Sequence, residues 1–356
     1  MMRIIIFLFA LALAGHTAQA QFVTTPPASK KAMVAEWIGL TKVKIEYHRP
    51  GVKGREGEVY GENAVVPYGA SMPWRAGADE NTTMYFEHDV TINGQPLAAG
   101  KYGFHILPTA GEWTLIFSKN NWSWGSYNYD QSEDALRVKA KPADLPESVE
   151  WLEYRFVNQT DNSADIELRW EKKKVQFTVA TDVYAVTRAS MEAELDGMLG
   201  FTWQGWNSAA NYLLTADKDM ETALAWADNA VNNTKNFSTL STKAQILEKL
   251  NRTADAKTAM EEAVPLATMT ELHFYARSLI QQEKPEEAMK IFRMNREKNP
   301  NDNFTTLVGL ARGNMALGNY KDAANYFRKA APNAPQGQQE IYEGLAKQCE
   351  EKMTKG

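Results

Sequence analysis

The hydrophobic period of this sequence changes once, near residue 182, and no single layer of secondary structure accommodates both patterns. Between Val34 and Ala180 apolar residues alternate with polar ones. Val43, Ile45 and Tyr47 alternate with Lys42, Lys44 and Glu46, and Trp113, Leu115 and Phe117 repeat the pattern. Leu152, Tyr154 and Phe156 do the same, as do Ile166, Leu168 and Trp170, and then Val175, Phe177 and Val179. A period of two turns one face of a strand toward a core. About eight to ten such segments, parted by Gly, Pro and Asn turns, have the spacing of a sandwich or barrel. Asn93-Gly94, between the segment Thr82–Ile92 and Tyr102-Gly103-Phe104, is a hairpin-turn pair. Large aromatics, including Trp37, Trp74, Trp113, Trp151 and Trp170, supply the buried area that a β domain without disulfides needs. The one cysteine, Cys349, excludes an internal disulfide and a Cys-rich zinc site.

Past Asp182 alanine becomes frequent and apolar residues recur at three and four, the helical period. Ala223, Ala256, Ala288 and Ala323 follow one another at intervals of about 34 residues. A second small or polar residue stands seven positions after each: Ala230, Ala263, Asn295 and Ala330. Small residues at fixed helix positions let paired helices approach closely, and Phe292 and Phe327 place a large ring one turn on from the leading alanine. Gly318 precedes the clearest copy, Asn319–Ala330, as an inter-helix turn, and Pro332 and Pro335 follow it as a stop. The copy from Pro285 to Phe292 is nearly as regular, whereas those around Ala223 and Ala256 are degenerate. Residues 200–350 resemble the tetratricopeptide repeat, which implies helical hairpins stacked into an array that binds through the first helix of each pair.

The strand-rich half carries its own resemblance. Tyr47-His48-Arg49-Pro50, Val52-Lys53-Gly54-Arg55, Val66-Pro67-Tyr68-Gly69 and Trp74-Arg75-Ala76-Gly77-Ala78-Asp79-Glu80 stand in order along it. Leu97-Ala98-Ala99-Gly100-Lys101-Tyr102-Gly103, Trp113-Thr114-Leu115-Ile116-Phe117, Trp124-Gly125-Ser126-Tyr127-Asn128-Tyr129-Asp130 and Leu168-Arg169-Trp170-Glu171 continue the series. These blocks, over residues 26–180, are similar to the exported bacterial domain-of-unknown-function family 2911, with departures at His48 and His105. The resemblance implies an exported, β-rich domain in a Gram-negative envelope and carries no activity with it.

Arg3 precedes the apolar run from Ile4 to Ala14, which is too short to span a bilayer comfortably. Ala18-Gln19-Ala20 then supplies the small-x-small site of a signal peptidase. The expected organisation is a signal peptide at 1–20, a β domain at 21–182 and a helical repeat domain at 183–356. No cysteine follows the apolar run, so a lipoprotein anchor is excluded, and periplasm or secretion is the expected location. After cleavage no membrane span is expected. A net charge of −5 gives no general attraction to nucleic acid.

No zincin, serine-hydrolase elbow, phosphate loop or dinucleotide fingerprint is present. Neither a cofactor nor a metal is expected, because His48, His88, His105 and His273 show no paired-ligand spacing. Charged residues on glycine-bearing loops are candidates for a ligand site: Arg49, Arg55, Arg75, Asp79 and Glu80. Trp124, Tyr127 and Tyr129, with Trp122, crowd another loop where rings could stack on a sugar or peptide. The alternative is that Arg75 pairs with Asp79 or Glu80 to staple loops while the rings plug the sandwich. On the first helices of the repeats, Tyr275, Arg277, Asn303, Arg312 and Asn314 are candidate contacts for an extended peptide or its acidic groups.

Two functions fit these residues. One is a non-enzymatic envelope scaffold whose repeats engage a protein or peptide; the alternative is a glycan or small ligand held by the β domain. Catalysis stands third, with no residue assigned to it. Mature protein recovered from the envelope should begin at Gln21. An intact mass that retains Met1 contradicts this.

Overall fold

The computed structural model describes residues 26–355, so the proposed signal peptide and cleavage site lie outside the described residues. Strands end at Ala180 and helices begin at Val183, and the chain divides into two compact units between Arg188 and Ala189.

The first unit is a two-sheet sandwich. Strands β1 (Lys30–Ile38), β2 (Thr41–Arg49), β5 (Thr83–Phe86), β8 (Gly100–Leu107), β9 (Trp113–Ser118) and β10 (Asp134–Ala140) form one antiparallel sheet in that order. The second sheet runs β11 (Ala143–Val157), β12 (Ser163–Ala180), β6 (Val90–Ile92), β7 (Gln95–Leu97). A short parallel pair, β3 (Tyr60–Gly61) with β4 (Val66–Pro67), lies on the long connection from β2 to β5. The inward residues of both sheets make one core, with Ile45, Phe86, Phe104, Phe117, Ile166 and Phe177 buried in it. The alternation of β2 and β12 is therefore the alternation of core and surface.

Two local features differ from the sequence reading. The segment Thr82–Ile92 is not one strand: Glu87–Asp89 break it, β5 joins the first sheet and β6 the second. The turn Asn93-Gly94, both residues at positive φ (48° and 79°), closes the hairpin β6–β7, and Tyr102 to Phe104 belong to the other sheet. Conversely, Ile166 to Val179 lie on one strand of 18 residues. Glu171, at φ 52°, sits at a register irregularity, and the inward residues change from even to odd numbers across it. An extra residue in a strand has that effect on the side-chain phase.

An aromatic cluster fills one part of the sandwich. Tyr60, carried in by β3, lies 5.4 Å from Trp113 and 6.0 Å from Trp170, and Trp74 stacks on Trp170 at 6.0 Å. Rings of this size bury area without any cross-link.

The second unit is built from helical hairpins. After α1 (Val183–Leu195) come α2 (Trp203–Ala216) with α3 (Met220–Asn233), and α4 (Phe237–Lys249) with α5 (Thr253–Ala263). Then follow α6 (Met269–Gln281) with α7 (Pro285–Lys298), α8 (Thr305–Ala316) with α9 (Tyr320–Ala330), and α10 (Gln339–Lys355). Each leading alanine and its partner lie on the second helix of a hairpin, and all of them are buried. Asn295, the departure from alanine, is also buried, and its Nδ2 donates to the carbonyl of Met269 at 2.9 Å. The turn inside each hairpin needs a left-handed residue: Asp217 at φ 53°, Asn251 at 60°, Glu283 at 60° and Gly318 at 80°. Only the last is glycine, yet the copies around Ala223 and Ala256, degenerate in sequence, form the same hairpin.

Close helix approach depends on the missing side chains. A Cβ at Gly309 of α8 would lie 2.5 Å from Phe292 Cδ1 of α7, and one at Gly313 would lie 2.8 Å from Met289 Cε. Ala288→Leu should therefore cost about 1–3 kcal/mol by overpacking. Ala316→Leu, at an exposed position of α8, should change little. Urea midpoints of the full chain compare the two; equal midpoints contradict close packing at Ala288.

Candidate functional site

On the helical unit, the first helices α6 and α8 and the following α10 share a pocket of about 260 Å³. His273, Phe274 and Arg277 reach it from α6, Thr305, Val308 and Arg312 from α8, and Tyr342 from α10. Phe304 stands edge-on to Tyr342 at 5.1 Å and closes one wall. The spacing 273, 274, 277 and 305, 308, 312 puts each set on one helical face.

The pocket is cationic. No carboxylate pairs with Arg277 or Arg312 among the described residues, and none of the lining residues is acidic. Arg277 packs its guanidinium over the Phe274 ring at 5.8 Å. Burial first, and the charge of Arg277 second, pull the Arg312 guanidinium below its usual value, and its Nε is buried without a partner. Burial and then the two arginines bring His273 down to about 4, which leaves it neutral at pH 7 with an unpartnered Nδ1. Asp302, the nearby carboxylate, accepts from the backbone N–H of Phe304 and Thr306 at the start of α8. Two guanidiniums facing a pocket with no counter-charge have the donor geometry and charge that suit an anion such as a carboxylate.

A cleft of about 1060 Å³ adjoins it, between the hairpin α4–α5 and the hairpin α6–α7. Tyr275 enters this cleft and meets Phe237 of α4 edge-on at 5.9 Å. Thr270 and Phe274 line both spaces, so the two form one trough across α6. Of the five expected contact residues, Arg277 and Arg312 come together and Tyr275 lies next door. Asn303 is exposed just before α8. Asn314 is buried and donates to Leu310 O at 2.9 Å, so it faces the packing. His273, Phe274, Phe304 and Tyr342 were not anticipated; the position of His273 four residues before Arg277 was the available signal.

On the strand-rich unit the arginines serve backbone. Arg49 donates from Nε to Leu152 O at 2.7 Å and lies 3.6 Å from Glu153. Arg55 donates to the carbonyls of Val52 and Gly51 at 2.9 and 2.7 Å. Arg75 donates to the backbone carbonyl of Asp79, not to its carboxylate, and lies over the Tyr127 ring at 5.2 Å. Asp79 is at φ 56°, and Glu80 pairs with Lys31 at 3.4 Å. Arg75 and Asp79 thus gather beside the loop bearing Trp124, Tyr127 and Tyr129, while Arg49 ties the end of β2 to β11 and Arg55 holds the β2–β3 connection.

Under that loop lies a buried polar pair. His105 Nδ1 and Ser126 Oγ are 2.8 Å apart, with Tyr129 over the imidazole at 5.5 Å. Tyr129 donates to Asp134 Oδ2 at 2.7 Å, and Arg137 binds the same oxygen at 3.1 Å. Burial first and the charge of Arg75 second bring His105 down to about 4. No group of three or more His, Cys, Asp and Glu that could hold a metal occurs among the described residues.

Residues 29–179 match the model of the family described as Protein of unknown function (DUF2911). The match falls on the strand-rich unit. Among solved structures, the chain is similar to a tetratricopeptide repeat protein from Parabacteroides merdae at 15% identity, covering 47% of this chain and 70% of that one, with a TM-score of 0.32. It is also similar to YrrB, described as a TPR protein with an unusual peptide-binding site, at 16% identity, covering 46% of this chain and 84% of that one, with a TM-score of 0.30. No curated protein matches the chain.

The low value at His105 has a pH consequence. The folded chain keeps the imidazole neutral while the unfolded chain protonates near 6.5, so stability is full above that value and falls as pH drops toward 4. The loss from this one residue is on the order of 3 kcal/mol. His105→Gln retains a partner for Ser126 and should flatten the decline, measured as urea midpoints by tryptophan fluorescence from pH 7 to 4. Parallel declines in the two proteins contradict the assignment.

Proposed function

We propose that this protein is an exported, non-enzymatic binding module whose helical repeats hold an extended acidic segment of another protein. The observation that carries the reading is the pair Arg277 and Arg312 over a pocket lined by no carboxylate. A carboxylate of the segment sits between the two guanidiniums, against Tyr342 and Phe304, and neighbouring side chains follow the trough past Phe274 into the larger cleft. An anion entering here relieves the repulsion between two like charges, a gain that solvent alone supplies poorly in a half-buried site. The trough suits a chain more than a compact ligand, since it passes across α6 from one hairpin to the next. Export is proposed from the apolar run after Arg3 and the site at Ala18-Gln19-Ala20. Among the described residues no helix is long and apolar enough to cross a membrane.

The test is fluorescence anisotropy with labelled dodecapeptides, one series rich in Asp and Glu and one uncharged, added to the full chain. The acidic series should bind more tightly, and the affinity should fall with added salt. The double charge reversal Arg277→Glu and Arg312→Glu should weaken acidic-peptide binding at least about tenfold, with helicity by circular dichroism unchanged. Equal binding of both series, or unaltered binding by the charge-reversed protein, contradicts the proposal.

A further inference from the structure

The loop between β9 and β10 combines exposure with rigidity. Trp122 and Trp124 are 77% and 59% exposed, yet the backbone that carries them is pinned from below. Buried Asn81 donates from Nδ2 to Asn120 O at 3.3 Å and to Ser123 Oγ at 3.4 Å. Asn121 Nδ2 donates to Lys101 O at 2.9 Å. Gly103 of β8 lies so close that a Cβ there would be 2.2 Å from Asn120 O. The two indoles are therefore held in place without being buried.

Four other exposed or half-exposed rings of this unit are covered by a cation of their own. Lys42 lies 5.1 Å from the Trp37 ring, Lys30 5.0 Å from Trp151, Lys44 6.0 Å from Tyr85 and Arg75 5.2 Å from Tyr127. Among the described residues no cation and no second ring packs on Trp122 or Trp124. Both rings line a pocket of about 250 Å³, smaller than the ~300–1,000 Å³ of drug-sized sites and suited to a single sugar ring.

The polar lining chooses among ligands. Lys31 is matched with Glu80 at 3.4 Å, and Glu46 lies 3.8 Å from Lys101, so the charges facing the pocket cancel. Such a site has no net pull on an anion or a cation but offers several donors and acceptors. The Oδ1 of Asn81, buried and without a partner, adds an acceptor at the pocket floor. Uncovered aromatic faces beside a neutral set of donors and acceptors fit the apolar face and the hydroxyl rim of a pyranose.

We propose that the pocket formed by Trp122, Trp124, Asn81, Glu46, Glu80 and Lys101 binds a neutral saccharide, with one pyranose ring stacked on an indole. The site belongs to the strand-rich unit and is independent of the peptide trough.

The test is calorimetry and intrinsic-fluorescence titration of the full chain with neutral tetrasaccharides of β-1,4-linked glucose, β-1,4-linked N-acetylglucosamine, β-1,4-linked xylose and α-linked mannose. At least one should bind at a single site. Trp122→Ala and Trp124→Ala should each weaken it about tenfold. Trp124→Tyr, which keeps a ring, should retain most of the affinity, and Trp37→Ala should leave it unchanged. Failure of every tetrasaccharide to bind overturns the proposal, as does equal binding by both alanine variants, loss of affinity in the Trp37 variant, or binding of inorganic phosphate in place of the sugars.

Discussion

Phe292 seated against the bare backbone of α8 is the contact on which the helical unit turns. Its ring touches the space a side chain at Gly309 would need, and His273 of α6 reaches the same point, with its ring 5.8 Å from Phe292. Three helices of two hairpins therefore meet at one glycine. That meeting sets how near α6 comes to α8, and so brings Arg277 and Arg312 to the two sides of one pocket. A larger residue at position 309 would part the helices, and with them the charges. The placement of the two charges depends on a packing detail that bears none.

The strand-rich unit answers a different need. It has no disulfide, and it reaches a single core by placing Trp113, Trp170 and Tyr60 together inside two sheets. Two of its conspicuous arginines are spent on backbone carbonyls, Arg49 on Leu152 of β11 and Arg55 on Gly51 and Val52 of the loop after β2. What remains unspent is aromatic: two tryptophans on a loop too firmly tied down to fold them inward.

Much of this was legible in sequence because it depends on period. The inward residues of β2 and β12 and the buried alanines of α3, α5, α7 and α9 could be read directly, since one face of each element is apolar. The break at Glu87–Asp89 could not, because β5 and β6 carry the same kind of pattern on either side of it. Among candidate contacts, Arg277 and Arg312 were readable as polar residues on first helices. Tyr275 and Asn314 stand two positions from those arginines, which is about 200° around a helix, and so turn to the larger cleft and to the packing instead. Arg75 looked like half of an ion pair, yet local sequence does not tell where a loop carbonyl ends up, and it bonds to the backbone of Asp79.

The most direct measurement of the central claim is site-specific photo-crosslinking from position 305, which lines the cationic pocket, in the full chain expressed in its native cell. Mass spectrometry then reads the sequence joined to it. Adducts should fall on an extended segment with Asp, Glu or a terminal carboxylate within a few residues of the attachment point. Adducts on segments without such a group, or none while a crosslinker placed elsewhere on the helical unit captures a partner, would contradict an acidic chain held between Arg277 and Arg312.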